Sequence, residues 1–269
     1  MNTIGFIGSG NMAEALIRGI VTAGVYVPQR VFISDVRPER LHELAARYGV
    51  VACDANVRVV ERAETVVLSV KPQVMTEALQ SIKEVPTTGR LFISIAAGVK
   101  MAKIAGVLGD VPIVRVMPNT PALVGAGASA LFANDRARPL LEKALSIFAA
   151  VGKAVVVQEE GLIDAVTAVS GSGPAYFFLL MEAMIEAAGT LGLPPDVARD
   201  LVLQTAKGAG LLAVEADKNG ESPAVLRRKV TSPHGTTEAA LKVFAAHDFQ
   251  RLVADAVIAA RDRSRELSA

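Results

Sequence analysis

The feature that most constrains this chain lies at its N-terminus. "TIGFIGSGNMAEALIRG" passes from a short apolar run through Gly8-Ser9-Gly10-Asn11-Met12-Ala13 into an amphipathic segment. A G-x-G-x-x-A turn between a strand and a helix has a mechanical meaning. Gly8 permits the tight turn, Gly10 lets a pyrophosphate approach the backbone, and Ala13 allows close helix–sheet packing. The helix N-terminus then faces the phosphates. A plain βα turn that merely needs small residues would carry the same pattern. Its place after an apolar strand, ahead of repeated β–α alternation, favours a dinucleotide site.

That alternation runs along the first half. Residues 4–7, 31–34, 65–70, 91–95 and 113–116 are short apolar runs, uncharged except for Arg115, each followed by a polar turn or a helical pattern. Such runs with helices between them predict a parallel sheet covered on both faces. Residues 129–132 and 154–158 predict two further strands at an edge. After Gln158 the period becomes helical. "SGSGP" interrupts it, with Pro174 at a tolerated first-turn position, and "AYFFLLMEAMIEAAGTLG" follows as a helix stopped near Gly192 by Pro194 and Pro195. Residues 196–216, 223–229, 237–246 and 249–265 predict four more helices. An α/β half therefore precedes an all-helical half. Residues 175–191 are apolar over most of the helix circumference, which predicts burial against a second copy.

Composition narrows the function classes. A net charge of +1 gives no support for nucleic acid or an anionic membrane as partner. The longest uncharged runs are broken by Pro, Gly, Asn or Ser, and the opening residues have no basic n-region, so a soluble cytoplasmic protein is expected. Cys53 is the single cysteine, read as structural, and the three histidines are scattered. Neither a metal signature nor a nucleophile elbow is present.

In an open parallel sheet, ligands gather at the carboxyl ends of the strands. The second run ends in "FISDVRPER", where Asp35 suits ribose hydroxyls and Arg37 suits a 2′-phosphate, so NADH and NADPH are both indicated. Asn56 either caps a helix or reaches the adenosine side. "SVKPQ" places Lys71 and Pro72 after the third run. "SIAAGV" places Ala97 and Gly98 after the fourth, where small residues admit a flat nicotinamide. "VMPNTP" follows the fifth. Ser170–Gly173 either line the site or let helices cross. Within the helical half, "VTSPHGTTEAALKVF" sets a hydroxyl-rich loop at the start of a helix. Its free N–H groups make an anion site, and a Ser/Thr N-cap is the plainer reading.

Together, "GFIGSGNMAEALIRG", "VKP", "SIAAGV", "MPNTPALVGAG", "GLIDAVTAVSGSGPAYFF" and "VTSPHGTTEAALKVF" resemble the pyrroline-5-carboxylate reductase family. The resemblance covers nearly the whole chain, in order. It implies a Rossmann-type doubly wound domain over 1–158 and an all-helical dimerisation and substrate domain over 159–269, like that of the 6-phosphogluconate dehydrogenase superfamily. It implies NADPH- or NADH-dependent reduction of 1-pyrroline-5-carboxylate to L-proline, the last step of proline biosynthesis, by a homodimer or higher homo-oligomer. Ile7, Gly8, Ser9, Gly10, Asn11 and Met12 match the phosphate turn. Asp35, Arg37, Asn56, Val70, Lys71, Pro72, Ala97 and Gly98 match further cofactor contacts. Glu160 falls at a position lining the substrate site. Ser232, Gly235, Thr236 and Thr237 fall in the substrate loop, with Thr237 and Ser232 as the catalytic hydroxyls. His234 departs from the family's usual Ser-Pro-Gly-Gly, and a histidine tolerates positive φ less well than glycine.

A β-hydroxyacid dehydrogenase with Lys207 as acid–base group, and a dinucleotide sensor without turnover, are the alternatives. Either would leave the hydroxyl loop without a catalytic role.

Overall fold

The computed structural model describes residues 2–268. Eight strands form one sheet: β1 (Ile4–Ile7), β2 (Val31–Ser34), β3 (Val51–Ala52), β4 (Thr65–Leu68), β5 (Leu91–Ser94), β6 (Ile113–Met117), β7 (Gly127–Ala133) and β8 (Gly152–Val156). Their order is β3-β2-β1-β4-β5-β6-β7-β8. The first six strands are parallel, in the 3-2-1-4-5-6 order of a dinucleotide fold. β7 runs antiparallel to β6, with Arg115 opposite Phe132, and β8 is parallel to β7.

The helices of this part are α1 (Asn11–Thr22), α2 (Pro38–Tyr48), α3 (Asn56–Arg62), α4 (Met75–Gln80), α5 (Met101–Leu108), α6 (Leu141–Ala149) and α7 (Leu162–Val166). Strand alternation divides their packing between two faces. Ile4, Phe6, Ile33, Ile93 and Val114 meet α1, α2 and α6 on one face. Val66, Leu68, Phe92 and Ile113 meet α3, α4 and α5 on the other. The sheet is therefore doubly wound.

The remaining helices are α8 (Gly173–Thr190), α9 (Pro195–Asp217), α10 (Pro223–Lys229), α11 (Thr236–Ala246) and α12 (Phe249–Leu267). Pro195 opens α9 at its first turn instead of closing α8. Between α7 and α8 the backbone widens into a π turn over Thr167–Gly171.

The compact bodies do not divide at Gln158. One unit comprises Met1–Pro174 with Ala259–Ala269, and the other Ala175–Ile258. The reason is packing: Ile163 and Ala168 are buried, and Ser264 of α12 donates a 2.7 Å hydrogen bond to Asp164 of α7. Those contacts tie both segments to the sheet-bearing unit. In the second unit, Phe177, Phe178 and Leu179 of α8 are each at least 60% exposed. Among the described residues, 162–190 is the one helical stretch long and apolar enough to cross a membrane, judged by length and composition.

Candidate active site

The carboxyl ends of β1, β2, β4 and β5 carry the predicted cofactor residues except Asn56, which opens α3. Gly8 follows buried Ile7 with φ of 89°, a left-handed conformation open to glycine at no steric cost. A Cβ there would lie 2.8 Å from Val70 Cγ1 and 3.0 Å from the Ser69 backbone. Gly10 differs: it is the N-cap of α1, and a Cβ would meet nothing within 4 Å. Gly8 is thus demanded by the chain itself, whereas Gly10 leaves open space at a helix N-terminus, as a pyrophosphate requires. Ala13 is buried, Asn11 is exposed at the first position of α1, and Met12 packs on the core.

A polar web fixes the turn. The Ser9 amide donates to Asp35 Oδ2 at 2.8 Å, and the Ser9 hydroxyl donates to the Ser34 carbonyl at 3.1 Å. The Ser69 hydroxyl donates to the Gly8 carbonyl at 2.7 Å. Arg40 Nε donates to the Ser9 carbonyl at 2.8 Å. Ser69 and Arg40 are supporting residues that no motif singled out.

Asp35 and Arg37, which the sequence sets in opposition, are paired: Arg37 Nε lies 2.9 Å from Asp35 Oδ1. Partial burial pushes the Asp35 carboxyl up. The Arg37 guanidinium and the Ser9 and Arg37 amides outweigh this and hold it below the usual carboxylate value. Asn56 does not cap α3, because Ala55 is the N-cap and no side chain caps it. Instead Asn56 accepts from the Ser34 hydroxyl at 2.8 Å and donates to Ser81 at 3.0 Å. Lys71 is exposed at the start of a 3₁₀ turn whose first residue is Pro72.

At the end of β5, Ala97 is exposed and Gly98 has φ of 71°. A Cβ on Gly98 would stand 3.1 Å from the Leu267 carbonyl oxygen. Glycine there is therefore required by the backbone and by the end of α12. Asn119, after β6, donates to the Ser170 carbonyl at 3.1 Å and accepts from the Ala128 amide at 2.8 Å. Gly171 faces Met117, whose Cε would be 2.5 Å from an added Cβ. These contacts give the small residues before α8 a packing role. Glu160 Oε1 accepts from the Met101 amide at 2.8 Å and from Arg115 Nη1 at 3.0 Å. Cys53 is buried, and burial pushes its thiol up.

The hydroxyl-rich loop before α11 belongs to the second unit. Gly235 donates to the Ser232 carbonyl at 3.1 Å, closing a turn over Pro233 and His234. His234 has φ of 59°, so it adopts the left-handed state that glycine ordinarily supplies in a type II turn with proline before it. The Glu238 carboxylate steadies it by accepting from the His234 amide at 2.5 Å, while Lys242 pairs with Glu238 at 2.6 Å. The N-cap of α11 is Gly235, with no side-chain cap. The Ser/Thr N-cap reading therefore does not describe this loop. Among the described residues, the hydroxyls of Ser232, Thr236 and Thr237 make no hydrogen bond, and the amides of Thr236, Thr237 and Glu238 have no backbone acceptor. These donors lie in and just before the first turn of α11, the dipole-positive end of a helix, which suits a carboxylate.

Residues 160–267 match the family model described as pyrroline-5-carboxylate reductase dimerisation, and residues 3–98 match that described as NADP oxidoreductase coenzyme F420-dependent. A pyrroline-5-carboxylate reductase of Pseudomonas aeruginosa is 47% identical over 267 residues, covering 98% of this chain and 96% of the relative. The chain belongs to the pyrroline-5-carboxylate reductase family. A relative from Arabidopsis thaliana is 38% identical, covering 98% of this chain and 95% of its own. The solved reductase from Coxiella burnetii superposes with a TM-score of 0.94 at 40% identity, covering 100% of this chain and 99% of that one. The Plasmodium falciparum enzyme, solved with NADP bound, gives 0.85 at 29% identity, covering 100% and 98%. A pyrroline-5-carboxylate reductase fold thus runs the length of the chain, and the dimerisation match begins at Glu160, ahead of the packing boundary at Pro174.

Proposed function

We propose that this chain reduces 1-pyrroline-5-carboxylate to L-proline, as an NAD(P)H-dependent oxidoreductase acting on a C=N bond. The observation that carries this reading is the start of α11, where unpartnered hydroxyls and amides gather in a chain related over its full length to reductases of that name. The cofactor, when bound, supplies the hydride that goes to the imine carbon. Ile7–Met12, Asp35, Arg37, Asn56, Val70, Lys71, Pro72, Ala97 and Gly98 would hold it, the open space at Gly10 admitting its pyrophosphate.

The chain's own residues orient the acceptor. Amides at the start of α11 take the substrate carboxylate, with Ser232, Gly235 and Thr236 around it. The Thr237 hydroxyl hydrogen-bonds the ring nitrogen and relays a proton to it from water. A threonine is too weak an acid to own that proton at neutral pH. The nitrogen becomes an amine as the carbon accepts the hydride, so charge and atoms balance.

The exposed apolar side chains of α8 and α9 support a homodimer or higher homo-oligomer. A dimer also accounts for the apolar stretch 162–190 without a membrane. We read the protein as cytoplasmic, with no nucleic-acid partner.

The test is the absorbance of NADPH and NADH followed with 1-pyrroline-5-carboxylate, beside hydroxyacids with the oxidised cofactors. Turnover of the imine is expected. Turnover of a hydroxyacid alone would replace this reading with a β-hydroxyacid dehydrogenase.

A further inference from the structure

Arg115 is a charged residue inside a sheet, and its surroundings explain it only in part. It stands in β6 beside Ser94, the last residue of β5. Its side chain is 3% exposed, and its one ion-pair partner among the described residues is Glu160. Val114 and Val116 point to the α1 face, so Arg115 points to the face covered by α5. Burying a guanidinium is costly unless it is paired, which makes this pair a strong structural constraint.

Glu160 uses a single oxygen, Oε1, for two partners: Arg115 and the amide of Met101. Met101 is the first residue of α5. Its amide is one of the donors that a helix start leaves unsatisfied, and a carboxylate there is also favoured by the positive end of the helix dipole. Residues 95–100 span the short distance from β5 to this anchored amide, and they carry Ala97 and Gly98. The other side of that segment is held too. The Gly98 backbone rests against Leu267, and the same end of α12 is fastened to α7 through Ser264 and Asp164. Glu160 lies just before α7 and Asp164 within it, four positions apart, so a single short segment braces the loop after β5 from two directions.

We propose that Arg115 and Glu160 are positioning residues for the loop carrying Ala97 and Gly98, setting where the nicotinamide end of the cofactor rests. This goes beyond a role for Glu160 in lining the substrate site. It rests on the reading above that Ala97 and Gly98 contact the cofactor. Arg115 touches neither ligand in this scheme; it acts through Glu160.

The experiment compares Glu160→Gln, Arg115→Met and Arg115→Lys with the full-length parent. Three quantities are measured: NADPH dissociation constant without substrate, KM for the imine at saturating NADPH, and hydrogen exchange of the 95–101 segment. Glu160→Gln and Arg115→Met are both expected to weaken NADPH roughly five- to twentyfold and to speed exchange at the Met101 amide, and Arg115→Met, which touches neither ligand, to leave the imine KM within about twofold. Arg115→Lys keeps the charge and is expected to recover most of the affinity. Glu160→Gln is isosteric and carries the test if Arg115→Met does not fold. A tenfold rise in imine KM with unchanged NADPH affinity and unchanged exchange would overturn the proposal and assign Glu160 to substrate alone. Unchanged values throughout would overturn it as well. Failure of the functional reading looks different, because the parent itself would then fail to reduce the imine.

Discussion

Asp35 and Arg37 form one closed unit: Arg37 Nε lies 2.9 Å from Asp35 Oδ1, Nη2 lies 3.3 Å from Oδ2, and the Arg37 amide donates to Oδ1 at 3.0 Å. A 2′-phosphate entering here competes with Asp35 for the guanidinium instead of meeting a free cation. Both coenzymes are therefore expected to serve, with a modest preference. Arg37→Ala should weaken NADPH several-fold, by about three- to tenfold, and NADH by less. Equal losses in titrations with the two coenzymes would remove the phosphate-gripping role.

The same carboxylate gives a pH dependence. Its pKa in the folded chain lies below the ordinary value, so the folded state binds the proton less readily than the unfolded one. The resulting stability is fully present above about pH 4, the unfolded carboxylate value, and is lost as pH falls through the folded value. Asp35→Asn should lower stability at pH 7 and flatten its decline on acidification. Urea unfolding at a series of pH values checks this, and parallel curves for parent and variant would contradict it.

The two glycines of the first turn should fail differently. Gly8→Ala forces a left-handed alanine against Val70 and Ser69 and should cost about 1–2 kcal/mol of stability as well as cofactor binding. Gly10→Ala meets no atom of the chain, so the fold should hold while NADPH affinity falls at least tenfold. Thermal unfolding beside cofactor titration separates them.

His234 occupies a left-handed position at some conformational expense. His234→Gly should raise stability by roughly 0.5–1 kcal/mol, the strain relief exceeding the greater freedom of glycine in the unfolded chain. His234→Val should destabilise, since β-branched residues tolerate positive φ poorly. A fall in the urea midpoint for the glycine variant would mean the imidazole makes a contact worth more than the strain.

Thr237→Ala removes a hydroxyl that has no partner among the described residues, so stability should barely change. Catalytic efficiency should drop roughly ten- to a hundredfold, the expected loss for a hydrogen bond to a charged or developing-charge group. Ser232→Ala should lose less, because amides carry most of the carboxylate binding. Full activity in Thr237→Ala would leave the loop as a helix start and nothing more.

The sequence by itself determined the local architecture: a glycine turn between strand and helix, the β–α alternation, and a hydroxyl loop opening a late helix. These are legible because φ preferences, apolar periodicity and turn chemistry act over a few neighbouring residues. It also set Gly8 and Gly10 two residues apart, yet only tertiary packing separated Gly8, where a Cβ would meet Val70 and Ser69, from Gly10, where it would meet nothing within 4 Å. β3 has no sequence signature, because two residues, Val51 and Ala52, are too few for a period. The antiparallel course of β7 was equally hidden, since a strand's pattern does not encode its direction. The pairing of Asp35 with Arg37 was adjacent in sequence but needed the turn's geometry to turn rivals into partners. The farthest contacts were the least visible. Glu160 meets Arg115 across 45 residues and Met101 across 59, and Asp164 meets Ser264 across 100. Such pairs are decided when distant elements are brought together by the burial of apolar faces, and only then does a buried arginine acquire the carboxylate that makes its burial tolerable.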